Sequence, residues 1–180
     1  MKPANDRPRV YLAGPDVFFA DRAQRFERLV EACARLGMVG LPPTDGGTAE
    51  GFQGTDTQRA ERIYEGNLAL IRSADGLIAN LTAFRGLEPD SGTVFEIGYA
   101  VAAGKPVVAY GVPEASYASR VAAALPCERD GDGALREASS GVQVEELGQR
   151  LNLMLTRSTP LAPSAQAALE ALAARFGLRS

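Results

Sequence analysis

Histidine is absent from the 180-residue chain. That removes Ser-His-Asp triads, Cys-His pairs, His-ligated metals and histidine general bases together, so acid–base chemistry falls to carboxylates, tyrosine, lysine or cysteine. Cysteine is scarce too: Cys33 and Cys127 lie far apart in sequence and without metal-ligand spacing. Cys33 falls on a helical apolar stripe, which predicts a reduced packing role and no disulfide. No apolar run approaches the ~20 residues a membrane span needs, and the opening "MKPANDRPRVYLAG" has no h-region before a cleavage site. Neither a membrane nor secretion is expected, and a cytoplasmic location is. Basic clusters are missing, and the net charge is −3. Affinity for phosphate backbones comes mainly from Lys and Arg, so nucleic acid is not expected as a partner and small molecules fit better. No Gly-x-Gly-x-x-Gly or Walker pattern follows a strand, so no dinucleotide or NTP site is indicated. Internal repeats and low-complexity segments are also absent.

What is present is 46% hydrophobic and 23% charged, the composition of an ordinary globular chain, and one domain over residues 1–180 is expected. Short β-like runs alternate with longer helical patterns, the signature of a parallel sheet covered by helices on both faces. Strands are expected at "RVYLAG" (9–14), "MVGLP" (38–42), "GLIANLT" (76–82) and "KPVVAYG" (105–111). Helix one should run from Asp21, a candidate cap, to Leu36, with Gly37 following its end. Helix two spans about 57–74 and helix three 93–103. Between strand two and helix two, "PTDGGTAEGFQGTD" (43–56) is too rich in Gly, Thr and Asp for regular structure and reads as a functional or disordered loop. Beyond strand four the signal weakens. A fifth short strand, a helix over 144–157 and an amphipathic helix over about 163–177 are expected, the last covering the sheet or a partner subunit.

In open parallel sheets ligands bind outside the carboxyl ends of the strands. Three such ends carry polar residues here: "YLAGPDVF" after strand one, the Gly-rich loop after strand two, and "TAFRGLEPDSGT" after strand three. Asp16, Asp90 and Glu96 should therefore converge on one mouth. Glu96 stands alone in a run of Val, Phe, Ile, Tyr, Ala and Gly, where an unpartnered charge is costly. Plainer readings exist for each residue. Thr93-Val-Phe-Glu96 fits a capping box, Asp90 can be a loop residue or helix cap, and Asp16 can be a turn residue. Asn67, a polar residue on the apolar face of helix two, can hydrogen-bond a neighbouring loop. Tyr11 and Phe18 can simply be core.

Three blocks, "YLAGPDVF", "GNLALIRSADGLIANLTAFRGLEPDSGTVFEIGYA" and "NLML" (152–155), occur in this order across roughly residues 9 to 155. They resemble the nucleoside 2-deoxyribosyltransferases. The resemblance implies a five-stranded parallel sheet in a flavodoxin-like (Rossmann-like) three-layer sandwich. The implied activity moves 2-deoxyribose between nucleobases through a covalent sugar–enzyme intermediate, with no cofactor. It makes Glu96 the nucleophile at the anomeric carbon, with Asp90 holding the sugar hydroxyls and Tyr11 beside the nucleophile. Asp16 and Phe18 would line the base pocket, with Gly14 and Gly92 in the same motifs at the substrate. Asn152 and Met154 would complete a neighbouring subunit's pocket in a homodimer or higher homo-oligomer. Where the best-known bacterial pattern has an aspartate linked to protonation of the base, this chain has Asn67. An amide can hydrogen-bond a base but cannot deliver a proton at neutral pH, which leaves Asp16 as the substitute acid. Retaining glycosyl transfer needs a carboxylate nucleophile with a second carboxyl ~5 Å away and neither histidine nor metal. Two alternatives stay open: a hydrolase of 2-deoxynucleoside 5-monophosphates and a non-catalytic nucleoside-sensing module.

Overall fold

The computed structural model describes residues 7–45 and 51–178. The chain runs β1 (Arg9–Ala13), a 3-10 turn (Pro15–Phe18), α1 (Arg22–Arg35), β2 (Val39–Leu41), α2 (Asp56–Ser73), β3 (Gly76–Asn80), α3 (Ser91–Ala102) and β4 (Val107–Tyr110). After β4 come α4 (Tyr117–Ala124), an antiparallel pair β5 (Cys127–Arg129) and β6 (Leu135–Glu137), α5 (Leu153–Ser158) and α6 (Ala165–Arg175). The main sheet is parallel with strand order β2-β1-β3-β4. Its two central strands read "RVYLA" and "GLIAN" and are buried almost throughout, as expected of strands covered on both faces.

Alternation along the strands divides the core in two. Tyr11, Ala13, Leu77, Ala79, Val107 and Ala109 face Leu68 and Ile71 of α2, Ile97 and Ala100 of α3, and Leu151 and Leu155 near α5. Val10, Leu12, Ile78 and Val108 face Ala32 and Cys33 of α1 and Ala168, Leu169, Leu172 and Ala173 of α6. The last helix therefore covers this chain's own sheet. Chain direction across the sheet reverses between β1 and β3, since β2 lies outside β1 and β4 outside β3. Such a switch point opens a crevice at the carboxyl ends of the two central strands.

Among the described residues, four strands form the main sheet where five are expected. The fifth position is an isolated parallel bridge between Ala109 and Leu161. Pro160 and Pro163 flank it and have no N–H with which to extend a ladder. The helix expected over 144–157 shrinks to α5, because Gly148 sits at φ +69° and Asn152 caps a new start by accepting from the Met154 N–H at 2.9 Å. Asp21 precedes α1 without a side-chain cap bond; its carboxylate instead accepts from Arg25 Nε at 2.8 Å. In the 43–56 loop, residues 46–50 lie outside the described residues. The loop closes on Thr55, which forms a capping box with Gln58 at the start of α2. No helix among the described residues is long and apolar enough to cross a membrane.

Candidate active site

The β3–α3 connection brings a second element over the end of β1. Helix α3 begins at Ser91, and Asp90 is its cap, with Oδ2 accepting from the Thr93 N–H and hydroxyl, both at 2.9 Å. Gly92 fits this turn because a Cβ there would lie 3.1 Å from Asp90 Oδ2. With the start fixed at Ser91, Glu96 is in the second turn, out of reach of the capping-box role that Thr93 and Glu96 suggest. Its side chain meets the sheet instead: the buried Tyr11 hydroxyl donates to Glu96 Oε1 at 2.5 Å.

Burial pushes the Glu96 carboxyl up to about 7; the Tyr11 hydrogen bond pulls it down and the Asp90 charge pushes it further up. The rise corresponds to about 3 kcal/mol. A helix N-terminus offers 0.3–1 kcal/mol, mostly within its first turn, so desolvation decides the outcome. The Tyr11 phenol is pushed up as well, by burial and by the Glu96 charge, so it remains a neutral donor. The result is a carboxylate of raised basicity, held in one orientation by one hydrogen bond, next to a second carboxylate. Such a group can attack an electrophilic carbon or exchange a proton near neutral pH. Among the described residues, no group of three or more Cys, Asp or Glu side chains is arranged to hold a metal ion.

The sequence profile of the nucleoside 2-deoxyribosyltransferases matches residues 10–154. The chain belongs to that family. A solved 2-desoxiribosyltransferase from Leishmania mexicana is similar, with a TM-score of 0.71 and 27% identity over 93% of this chain and 97% of that one. A conserved protein from Enterococcus faecalis V583 shares the fold, with a TM-score of 0.56 and 22% identity over 94% and 99% of the two chains. An uncharacterised protein of Schizosaccharomyces pombe is 36% identical over 117 residues, which are 63% of this chain. The match spans about half the length of that curated relative, 54%.

Within this deoxyribosyltransferase fold the expected mouth divides. Tyr11, Glu96 and Asp90 come together, with Gly92 beside Asp90. Asp16 does not join them through any hydrogen bond. It is buried, with Oδ1 3.2 Å from Arg25 Nη1 and Oδ2 accepting from Asn80 Nδ2 at 2.9 Å. It lines a cleft of about 430 Å³ on the α1 side with Arg25, Arg28, Asn80 and Tyr110. Gly14 is the close-approach point, since a Cβ there would lie 2.7 Å from Asp16 Oδ2 and 2.8 Å from Asn80 Cβ. Phe18 is 59% exposed and stacks on Phe84 at 5.2 Å between centroids. Arg85, at φ +54°, lays its guanidinium over both rings, 5.5 Å from Phe18 and 4.8 Å from Phe84.

Asn67 holds the chain after β2, its Oδ1 accepting from the Thr44 N–H at 2.8 Å. Next to it, a Cβ on Gly66 would lie 2.7 Å from Thr44 Cγ2, so that chain passes very close to α2. Asn152 and Met154 lie at α5, away from the Tyr11–Glu96 pair in the contacts they make. Asn152 caps the helix and donates to Glu145 Oε2 at 3.1 Å, while Met154 is 71% exposed.

Sequence reasoning missed Asn80, hidden inside what reads as an apolar strand, and Arg25, one of several charges on α1. It also missed Arg120 and Arg150. Arg120 donates to Leu87 O at 2.9 Å and Arg150 O at 2.6 Å, and Arg150 donates to the carbonyls of Val112 and Pro113. Together they tie the 81–90 loop to the segment after β4. The available signal for Asn80 was a polar residue at the carboxyl end of a central strand. For the arginines there was none.

Proposed function

We propose that the protein exchanges the base of a 2-deoxyribonucleoside through a covalent deoxyribosyl–Glu96 intermediate. The observation that carries this reading is the hydrogen bond from buried Tyr11 to Glu96 at the sheet's switch point. In the first half-reaction a Glu96 carboxylate oxygen bonds to the anomeric carbon as the C–N bond breaks. The bonding pair passes to the base nitrogen, which takes up a proton. In the second, a nitrogen of the incoming base bonds to that carbon, the pair of the ester C–O bond returns to Glu96, and the incoming base loses its N–H proton. Raised basicity favours the attack, and the Tyr11 hydrogen bond stabilises the carboxylate when it leaves again. Asp90 binds Thr93 through Oδ2, leaving Oδ1 for a sugar hydroxyl. Phe18 and Phe84 form a wall against which a base can stack, and Asn67 with Thr44 bounds the pocket from the α2 side.

A free nucleoside, rather than a nucleotide, is supported by the engagement of the nearby cations. Arg25 bonds Asp16 and Asp21, Arg120 and Arg150 are aimed at carbonyls, and Arg85 lies on aromatic rings. Assembly enters the same reading: we take a second copy of the chain to bring Asn152 and Met154 to each pocket. The test is incubation with deoxythymidine and adenine, with thymine and deoxyadenosine expected as products. Mass spectrometry of protein quenched during turnover should show one added deoxyribosyl unit. Faster release of base from deoxynucleoside monophosphates would replace the transferase with the hydrolase. Nucleoside binding without exchange over hours would leave a sensing module.

A further inference from the structure

Asn80 is the last residue of β3, and its side chain is buried among the loops that leave three strands. Its Nδ2 donates to Asp16 Oδ2 in the turn after β1, and its Oδ1 accepts from the Thr82 N–H at 3.2 Å. From the third side comes Gly111, just after β4. Gly111 adopts φ +79°, and a Cβ there would lie 2.5 Å from Asn80 Oδ1. Gly14 approaches from the β1 side, where a Cβ would lie 2.8 Å from Asn80 Cβ. Two glycine turns thus close on one side chain, and either turn carrying a side chain would have to move away. Asp16 is secured in turn by Arg25, whose guanidinium also bonds Asp21 at 2.8 Å and lies 4.2 Å from the centre of the Phe19 ring.

We propose that Asp16 and Asn80 are a positioning pair: they lock the β1 loop that carries Phe18 to the β3 loop that leads to Asp90, and Asp16 is not the acid that protonates the leaving base. The inference rests on the deoxyribosyltransferase reading of the Glu96 site. The lock matters because the pocket is built on loops. Phe18 and Phe84 belong to the two joined loops and meet in a stack, so a shift of one loop against the other would misplace both the base wall and Asp90. The donors around Asp16 also leave no carboxyl oxygen directed at a substrate. Both of its oxygens already accept, one from the Arg25 guanidinium and one from the Asn80 amide.

A reciprocal exchange separates positioning from catalysis. In D16N/N80D every bond of the junction can be made again: the amide oxygen at position 16 accepts from Arg25, its nitrogen donates to the carboxylate at position 80, and that carboxylate accepts from the Thr82 N–H. Neither single variant can do this. N80D sets two carboxylates against each other, and D16N leaves two donors competing for one amide oxygen. Exchange kinetics on wild type, both single variants and the pair should show each single change lowering kcat/KM by about tenfold to a hundredfold, the scale of one lost charge-assisted hydrogen bond. The loss should fall chiefly on KM, and the pair should recover to within about threefold of wild type. If N80D does not fold, recovery of folding and activity together in the pair gives the same support. A pair that folds like wild type but is as inactive as D16N would overturn the proposal and return the Asp16 carboxylate to the chemistry. If wild type neither exchanges bases nor forms the covalent adduct, the functional reading itself fails and takes the proposal with it.

Discussion

With its carboxyl pushed up to about 7, Glu96 is only partly ionised at neutral pH, and a nucleophile must be ionised. We therefore expect kcat/KM to fall about tenfold per pH unit below pH 7 and to level off above it. Glu96→Gln should lose base exchange by at least about a thousandfold, since the covalent route is gone. The same substitution should act in the opposite direction on stability. A carboxyl with a folded-state pKa above its unfolded value of 4.5 binds its proton more tightly in the native protein, so stability falls as pH rises from 4.5 to about 7. Above that the cost of holding the charge is fully present. Gln cannot ionise, so the variant should melt several degrees above wild type at pH 8 and close to it at pH 4, the upper limit being set by roughly 3 kcal/mol. A lower melting temperature at pH 8 would show that the charge stabilises the fold. The two neighbours of Glu96 should move the acid limb in opposite senses. Tyr11→Phe removes a bond that lowers the Glu96 pKa and should shift the limb to higher pH. Asp90→Asn keeps an acceptor for Thr93 while removing a charge that raises it, and should shift the limb to lower pH. Limbs that stay in place in both variants would assign the titration to another group.

Among the elements, β1, β3, β4 and α1 to α3 were legible because each repeats one pattern over enough residues to show its period. Glu96 was legible for a related reason, being the single charge in an apolar helix. Beyond β4 the last helix was legible for the same reason and is found as α6, but α4, β5 and β6 were not, and the helix expected over 144–157 is only the short α5. β5 and β6 are three residues each, "CER" and "LRE", and only partly buried, so no alternation can develop. The contacts of Asp16 were not legible, because the direction of its side chain depends on Arg25 and Asn80, which reach it only in the fold. The Arg120 clamp has the same character: a lone arginine in "YASRVAAA" gives no hint that its guanidinium bonds Leu87 and Arg150. Here the consequence is testable. Arg120→Lys keeps the charge but cannot span two carbonyls with a rigid fork, so unfolding in urea should show a loss of about 1–3 kcal/mol. Since the freed 81–90 loop runs into Asp90, KM for the nucleoside should rise as well. Unchanged stability and KM would mean that the loop is held by other contacts, such as the Phe84 N–H to Glu88 carbonyl bond at 2.9 Å.

For the whole molecule, the helices on the Tyr11 face of the sheet expose several large apolar side chains. Tyr64 of α2 and Phe95 of α3 are each about half exposed, at 53% and 51%, and Leu153 and Met154 of α5 are exposed as well. Tyr64, Phe95 and Tyr99 form a chain of ring contacts at 6.2 and 6.5 Å. Large aromatics and methionine are the side chains that subunit interfaces favour. A shared pocket would give them a partner, each site combining Glu96 of one copy with Asn152 of the other. Asn152 also caps α5 in its own chain, so its replacement by alanine would confuse a lost cap with a lost ligand. Asn152→Ser keeps a good cap and removes the amide. Suppose Glu96→Ala and Asn152→Ser subunits, each nearly inactive alone, are unfolded together in equal amounts and reassembled. In a two-fold dimer with shared sites, half of the dimers are mixed, and each mixed dimer has one site with both defects and one with none. About a quarter of all sites should then recover. If Asn152 serves its own chain's pocket, every site in a mixed dimer keeps one defect and activity stays at the level of the separate variants. A fully active monomer at assay concentration would refute shared sites more directly, and would leave the aromatic face of α2 and α3 unconnected with catalysis.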